Sequence, residues 1–149
     1  RVTGFRGMTG RRRLFSSCKS HLSGVYLAGP PCMEAEADGN RVVGINEEEL
    51  KVPGCISRYM EDSGLPLYIS LDKDILNRSC AVTNWDQGET QLEDVLACIK
   101  EAASCRGIIG VDVCGEDPEQ EGIRASQINQ NTNREIICKL MEVCGILCP

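Results

Sequence analysis

Short apolar runs alternate along this chain with segments whose apolar residues recur every three or four positions. The first kind predicts buried strands and the second amphipathic helices. Gly24-Val-Tyr-Leu-Ala-Gly29 reads as a short buried strand, and Pro30-Pro31 blocks further ladder or helix bonding after it. Met33 to Asn40 is acidic and ends in Asp-Gly-Asn, a turn signal. Arg41-Val-Val-Gly-Ile45 reads as a second strand. Asn46 is placed to cap a short helix, and Glu47, Glu48 and Glu49 suit the positive end of its dipole. Pro53 interrupts that helix, and Cys55 to Asp62 predicts another helical piece. Gly64 and Pro66 lead into an apolar strand, Leu67-Tyr-Ile-Ser-Leu-Asp72.

Further along, Thr90-x-x-Glu93 predicts a capping box. Leu92, Val95, Leu96, Ile99, Ala102 and Ala103 follow at helical spacing, and Gly107 ends the helix. Gly107-Ile-Ile-Gly-Val-Asp112-Val is apolar at successive positions, as a strand covered on both faces requires. A last helix is predicted from Thr132, in a capping box with Glu135, through Ile136, Ile137, Leu140, Met141 and Cys144. Strand and helix alternate, which predicts an α/β fold with a mostly parallel sheet.

At 149 residues and 42% apolar composition, the chain can build one modest domain with a core. Its net charge of −6 argues against non-specific nucleic-acid binding. No apolar stretch approaches the roughly 20 residues of a membrane span. Ten cysteines raise the question of a disulfide scaffold. Cys98, Cys114, Cys138 and Cys144 lie within apolar helix or strand patterns, where Cys behaves as a small hydrophobe. No C-x-x-C pair occurs, so a zinc ribbon is not expected. Reduced thiols and a cytoplasmic setting are the expectation. Residues 1–24 carry Arg1, Arg6, Arg11, Arg12, Arg13 and Lys19 without an acid, while all 22 acids lie in the remainder. This shift predicts a boundary, with a basic tail over 1–24 and the α/β domain over 25–149. A transit-like peptide and a non-native stretch are the alternatives for the tail.

The chemistry concentrates after the apolar run at 67–72. Asp72 and Asp74 stand two apart, and in a strand they project to one face with Lys73 on the other. The carboxyl end of a parallel strand is where α/β proteins place ligands. Two carboxylates with no nearby His or Cys favour a hard cation such as Mg²⁺ or Mn²⁺. The loop Thr83-Asn84-Trp85-Asp86-Gln87-Gly88 and the segment Asp112-Val-Cys-Gly-Glu116 are expected at the same sheet edge, because successive strand–helix–strand units place their strand ends together. Trp85 either packs the loop onto the domain or forms a pocket wall. Asn84, Asp86 and Gln87 either orient a polar substrate or satisfy loop backbone. His21, the sole histidine, lies in the basic segment.

Ser70-Leu-Asp72-Lys-Asp74-Ile-Leu resembles the S-x-D-x-D strand of the arginase/agmatinase (ureohydrolase) family. Gly110-Val-Asp112 with Glu116 is similar to that family's later G-x-D-x-x-E segment, and Thr83-Asn-Trp-Asp-Gln-Gly88 to a T-N-W-D-Q-G found in arginase-like bacterial proteins. The resemblance covers residues 65 to 120. It implies a three-layer α/β/α fold with a mostly parallel sheet, two Mn²⁺ ions, and a bridging hydroxide that attacks a guanidinium carbon. It also implies Asp72 and Asp74 as metal ligands and Glu116 as the catalytic acid that contacts the substrate guanidinium; Asn84, Trp85 and Asp86 of the loop are the candidate substrate-binding residues.

The departures are as specific as the matches. The G-G-x-H and D-x-H-x-D segments that supply the family's other ligands do not occur. Ile75-Leu76-Asn77 replaces the usual D-P, and Glu116 lies one residue further from Asp112 than the common spacing. The expectation is a C-terminal part of a longer protein, a C–N hydrolase of ureohydrolase type that is inactive as this chain alone. The alternative is a non-catalytic α/β binding or assembly domain. A nucleotide-binding reading fails for want of a G-x-x-x-x-G-K-[ST] loop. A small-molecule substrate is the expected partner, with no nucleic acid and no membrane, and a homo-oligomer is compatible with an exposed sheet edge.

Overall fold

The computed structural model describes residues 2–5, 24–28, 41–60, 66–84, 86–116 and 122–146. Five strands, β1 (Val2–Phe5), β2 (Gly24–Ala28), β3 (Arg41–Ile45), β4 (Leu67–Asp72) and β5 (Ile108–Cys114), form one sheet in the order β3-β2-β1-β4-β5. Every pairing is parallel. The helices are α1 (Glu47–Leu50), α2 (Cys55–Tyr59), α3 (Leu92–Cys105) and α4 (Ile123–Val143). The expected α/β architecture with a parallel sheet is therefore present.

The strand order reverses between β1 and β4. In such sheets the crevice beyond the carboxyl ends at the reversal is where ligands collect. Asp72, the last residue of β4, lies there, and its neighbour across the pair is Cys114 at the end of β5.

Position within β4 decides what each side chain meets. Leu67, Ile69 and Leu71 are fully buried and alternate with more exposed Tyr68, Ser70 and Asp72. The buried set joins one core with Leu50, Ile56, Leu92, Val95, Ile99 and Ile136, so the described helices share one face of the sheet. Burying each such aliphatic side chain contributes about 1.5–3 kcal/mol. Helix α3 fits because Leu92, Val95, Cys98, Ile99 and Ala102 recur at helical spacing on its buried side. Helix α1 begins as its sequence predicts: Asn46 Oδ1 accepts from the Glu49 amide at 2.9 Å, and Glu49 Oε2 accepts from the Asn46 amide at 3.0 Å.

The structure departs from the sequence reading in five places. The acid-free stretch predicts a tail over 1–24, yet Val2–Phe5 is the middle strand and pairs with both β2 and β4. A four-residue strand carries too little pattern to outweigh the surrounding arginines. The rest of that stretch, with His21, lies outside the described residues. Helix α3 is preceded by Gln91 with no side-chain cap, and Thr90 is buried in a bridge to Leu76 instead of capping. Helix α4 starts nine residues earlier than Thr132, at Ile123, because the polar residues of its first half face backbone that they bind. Strand β5 is the sheet edge, not a doubly covered strand: a register shift opposite Leu67 and Tyr68 leaves Ile109 71% exposed. Finally, Cys138 is disulfide-bonded, while Cys55, Cys80, Cys98, Cys105, Cys114 and Cys144 are free thiols. The expectation of uniformly reduced cysteines does not hold at Cys138. No helix among the described residues is long and apolar enough to cross a membrane.

Candidate functional site

Strand geometry stops at Asp72. Lys73–Ile75 is a single 3-10 turn, and Asp72 Oδ1 accepts from the Asp74 amide at 3.3 Å as its cap. The two carboxylates are thus set by a turn and not by strand alternation. Asp72 is half-buried and Asp74 is buried. Gly115, at the exit of β5, sits on this turn with φ +101, a conformation that favours glycine. A Cβ there would lie 2.6 Å from Asp72 Oδ1 and 2.9 Å from the Lys73 nitrogen. The close approach of the two strand ends depends on that missing side chain.

Lys73 begins the 3-10 turn, outside the strand alternation expected of it, and turns into the protein. It lies on the helix-covered side at 2% exposure. Its ammonium donates to Asn133 Oδ1 on α4 at 3.0 Å and is paired with Glu116 Oε1. Asn133 Nδ2 donates to the same Glu116 oxygen at 2.7 Å. Lys73, Asn133 and Glu116 thereby close a three-membered ring of contacts between the ends of β4 and β5 and the middle of α4. A buried ammonium needs such a partner, since isolated charge in the interior costs several kcal/mol. The ring borders a cavity of about 360 Å³ whose apolar wall is Val113, Ile136 and Ile137. A larger cavity of about 670 Å³, lined by Leu96, Lys139 and Glu142 among others, lies against the last turns of α4 and holds none of the predicted site residues.

Asp112 belongs to a different cluster. It accepts from Ser70 Oγ at 2.9 Å, and its hydrogen bond to Tyr68 holds that phenol's pKa above the ordinary value, with the carboxylate charge adding to the effect. The Tyr68 ring covers Gly110, where a Cβ would lie 2.7 Å from the ring edge.

The loop 83–88 is held mostly by backbone needs. Gln87 Nε2 donates to the Leu76 and Ala81 carbonyls at 3.1 and 2.9 Å, so it serves the loop. Asn84 and Asp86 are exposed. Trp85 lies outside the described residues. The preceding turn is tied to α4: Asn129 receives the Val82 amide and donates to the Val82 carbonyl, both at 2.8 Å, and the Thr132 hydroxyl donates to the Cys80 carbonyl. Asn77 Oδ1 collects the Ser79 and Cys80 amides at 3.0 and 3.2 Å.

The structure therefore brings Glu116 to Lys73 and Asn133, and brings Asp72 against the β5 exit. Sequence reasoning did not single out Lys73, Asn129 or Asn133. The usable signal was the polar stripe Asn129, Thr132, Asn133 at helical spacing ahead of Ile136, which a helix begun at Thr132 conceals. The resemblance implies manganese at these positions. Among the described residues no three or more His, Cys, Asp or Glu side chains gather around one point. One oxygen of Asp72 is already engaged by the turn it caps. The described residues do not fit a two-manganese centre.

No protein-family profile and no curated protein sequence matches the chain. Solved structures do. Proclavaminate amidino hydrolase from Streptomyces clavuligerus superposes with a TM-score of 0.64 at 20% identity, covering 81% of this chain and 42% of its own. A T. brucei arginase-like protein in an oxidized form gives 0.66 at 17% identity, covering 99% and 52%. A hypothetical agmatinase from Burkholderia thailandensis gives 0.60 at 18% identity, covering 87% and 42%. A triple mutant of the T. brucei protein, at TM-score 0.52, is bound with Mn²⁺. The chain has the arginase-type fold that its D-x-D strand resembles, and it spans about half the length of these proteins.

Proposed function

We propose that the chain is one part of a C–N hydrolase of the ureohydrolase type, inactive by itself, and that the complete enzyme acts on a guanidino or related linear C–N compound at the carboxyl ends of β4 and β5. The observation that supports this most is the placement of Asp72 at the strand-order reversal of an arginase-type sheet, with the β5 exit packed on it. In this reading Asp72 and Asp74 contribute carboxylates to a manganese site whose remaining ligands come from outside the described residues. Glu116 lies on the substrate side, with Asn84, Trp85 and Asp86 on the loop that follows β4. What the described residues themselves provide is a rigid strand end, a neutralised carboxylate and an apolar wall.

A second reading has its own support. Glu116 is held by Lys73, as in a domain that keeps the fold for binding or assembly. Titration with Mn²⁺, followed by the loss of the free-ion electron paramagnetic resonance signal, separates the two. The hydrolase reading expects Asp72→Asn to weaken Mn²⁺ uptake at least tenfold. Equal uptake by both proteins would favour the binding domain.

A further inference from the structure

The Lys73–Asn133–Glu116 ring has a consequence for what the adjoining cavity accepts. Lys73 is 2% exposed and its ammonium lies on Glu116 Oε1. Asn133 fixes both partners, receiving from one and donating to the other. The pair is net neutral, so the cavity presents a satisfied carboxylate with a fixed positive charge directly behind it. An incoming guanidinium would meet that ammonium across a partly buried carboxylate, where like charges repel even after partial screening by water. A neutral ligand meets no such opposition. Among the described residues both contacts to Glu116 fall on Oε1, which leaves Oε2 to accept an N–H from a ligand. Beside it, Val113, Ile136 and Ile137 offer an apolar wall to an alkyl group.

We propose that Lys73 is the specificity-determining residue of this site: by neutralising Glu116 it excludes guanidinium cations and selects an uncharged ureido or amide compound with a short apolar substituent. This inference rests on the reading of Glu116 as a substrate-side residue and narrows the substrate class within it. No other described residue brings a cation to that carboxylate. Removal of Lys73 therefore converts the site to one that prefers cations.

The test uses a charge-matched pair of probes, propylurea and propylguanidinium, titrated into the metal-free 149-residue chain and followed by amide chemical shifts at Val113, Cys114 and Asn133. The wild-type chain is expected to bind propylurea at least tenfold more tightly than propylguanidinium. Lys73→Met is expected to bind propylguanidinium at least tenfold more tightly than wild type does, and Glu116→Gln in that background to remove the gain. Lys73→Gln, which keeps a polar reach toward Asn133, is the second variant should the first lose its dispersed amide spectrum. Equal binding of the two probes by wild type, or no gain of guanidinium binding in both Lys73 variants, overturns the inference. Because no metal is present, either result is read independently of whether Asp72 takes up Mn²⁺.

Discussion

Breaking the Lys73–Glu116 pair from its two ends should have unequal cost. Lys73 is 2% exposed and the Glu116 side chain 33%. Glu116→Gln removes the carboxylate that faces a buried ammonium. Removing one partner of a buried pair typically costs 3–5 kcal/mol. Access of water to Glu116 screens part of that interaction in the wild type, which lowers the expected loss to about 2–3 kcal/mol. Lys73→Met removes the buried charge itself. The carboxylate left behind can turn to water and keeps its hydrogen bond from Asn133. The methionine fills much of the lysine stem's volume, so the expected loss is about 1 kcal/mol or less. For a chain of this size about 1 kcal/mol shifts Tm by roughly 2–4 °C. Thermal unfolding followed by circular dichroism should therefore show Glu116→Gln lowering Tm by about 5–10 °C and Lys73→Met by less than about 4 °C. Equal shifts, or a larger one for Lys73→Met, would refute the assignment of Lys73 as the buried, dependent partner.

Asn129→Ala removes both hydrogen bonds that hold Val82 to α4 and should cost about 2–3 kcal/mol. Hydrogen exchange at the Val82 amide should quicken accordingly, and unchanged protection would show that the loop holds itself. Cys55 and Cys98 face each other with sulfurs 3.8 Å apart, and burial, above all, pushes both thiols up from their ordinary pKa near 9. The folded state then holds these protons more tightly than the unfolded state, so their contribution is full below about pH 9 and lost as pH rises beyond it. Urea midpoints should fall between pH 8 and pH 10, and fall less in a Cys55→Ala, Cys98→Ala double variant; an identical fall in both would contradict this.

The parts of the fold that were legible are those where one physical signal dominates. Leu67 to Asp72 is apolar and bounded by Pro66 and two acids, and it forms the strand it predicts. Asn46 with three following glutamates reads as a cap and is one. Helix α3 shows its buried stripe directly. The failures arise where local pattern is outvoted by tertiary contacts. Val2–Phe5 is a strand because two neighbours pair with it, and no four-residue pattern among arginines announces that. Asn129 and Thr132 look like helix-cap or loop residues, yet they lie mid-helix because the Val82 and Cys80 backbone groups need them. At the site, the D-x-D pair was legible as chemistry at a strand end. The role of Lys73 was not, because its partners are 43 and 60 positions away in the chain.

Urea release is the measurement closest to the central claim, which is that these strand ends carry an arginase-type site without a complete metal centre. The purified 149-residue chain would be assayed with saturating Mn²⁺ for urea release from arginine and agmatine and for ammonia release from matched ureido compounds. The account predicts no release above the protein-free rate, because the described residues gather no three metal ligands and Glu116 is engaged by Lys73. Sustained release that depends on Mn²⁺ and stops on chelation would contradict it.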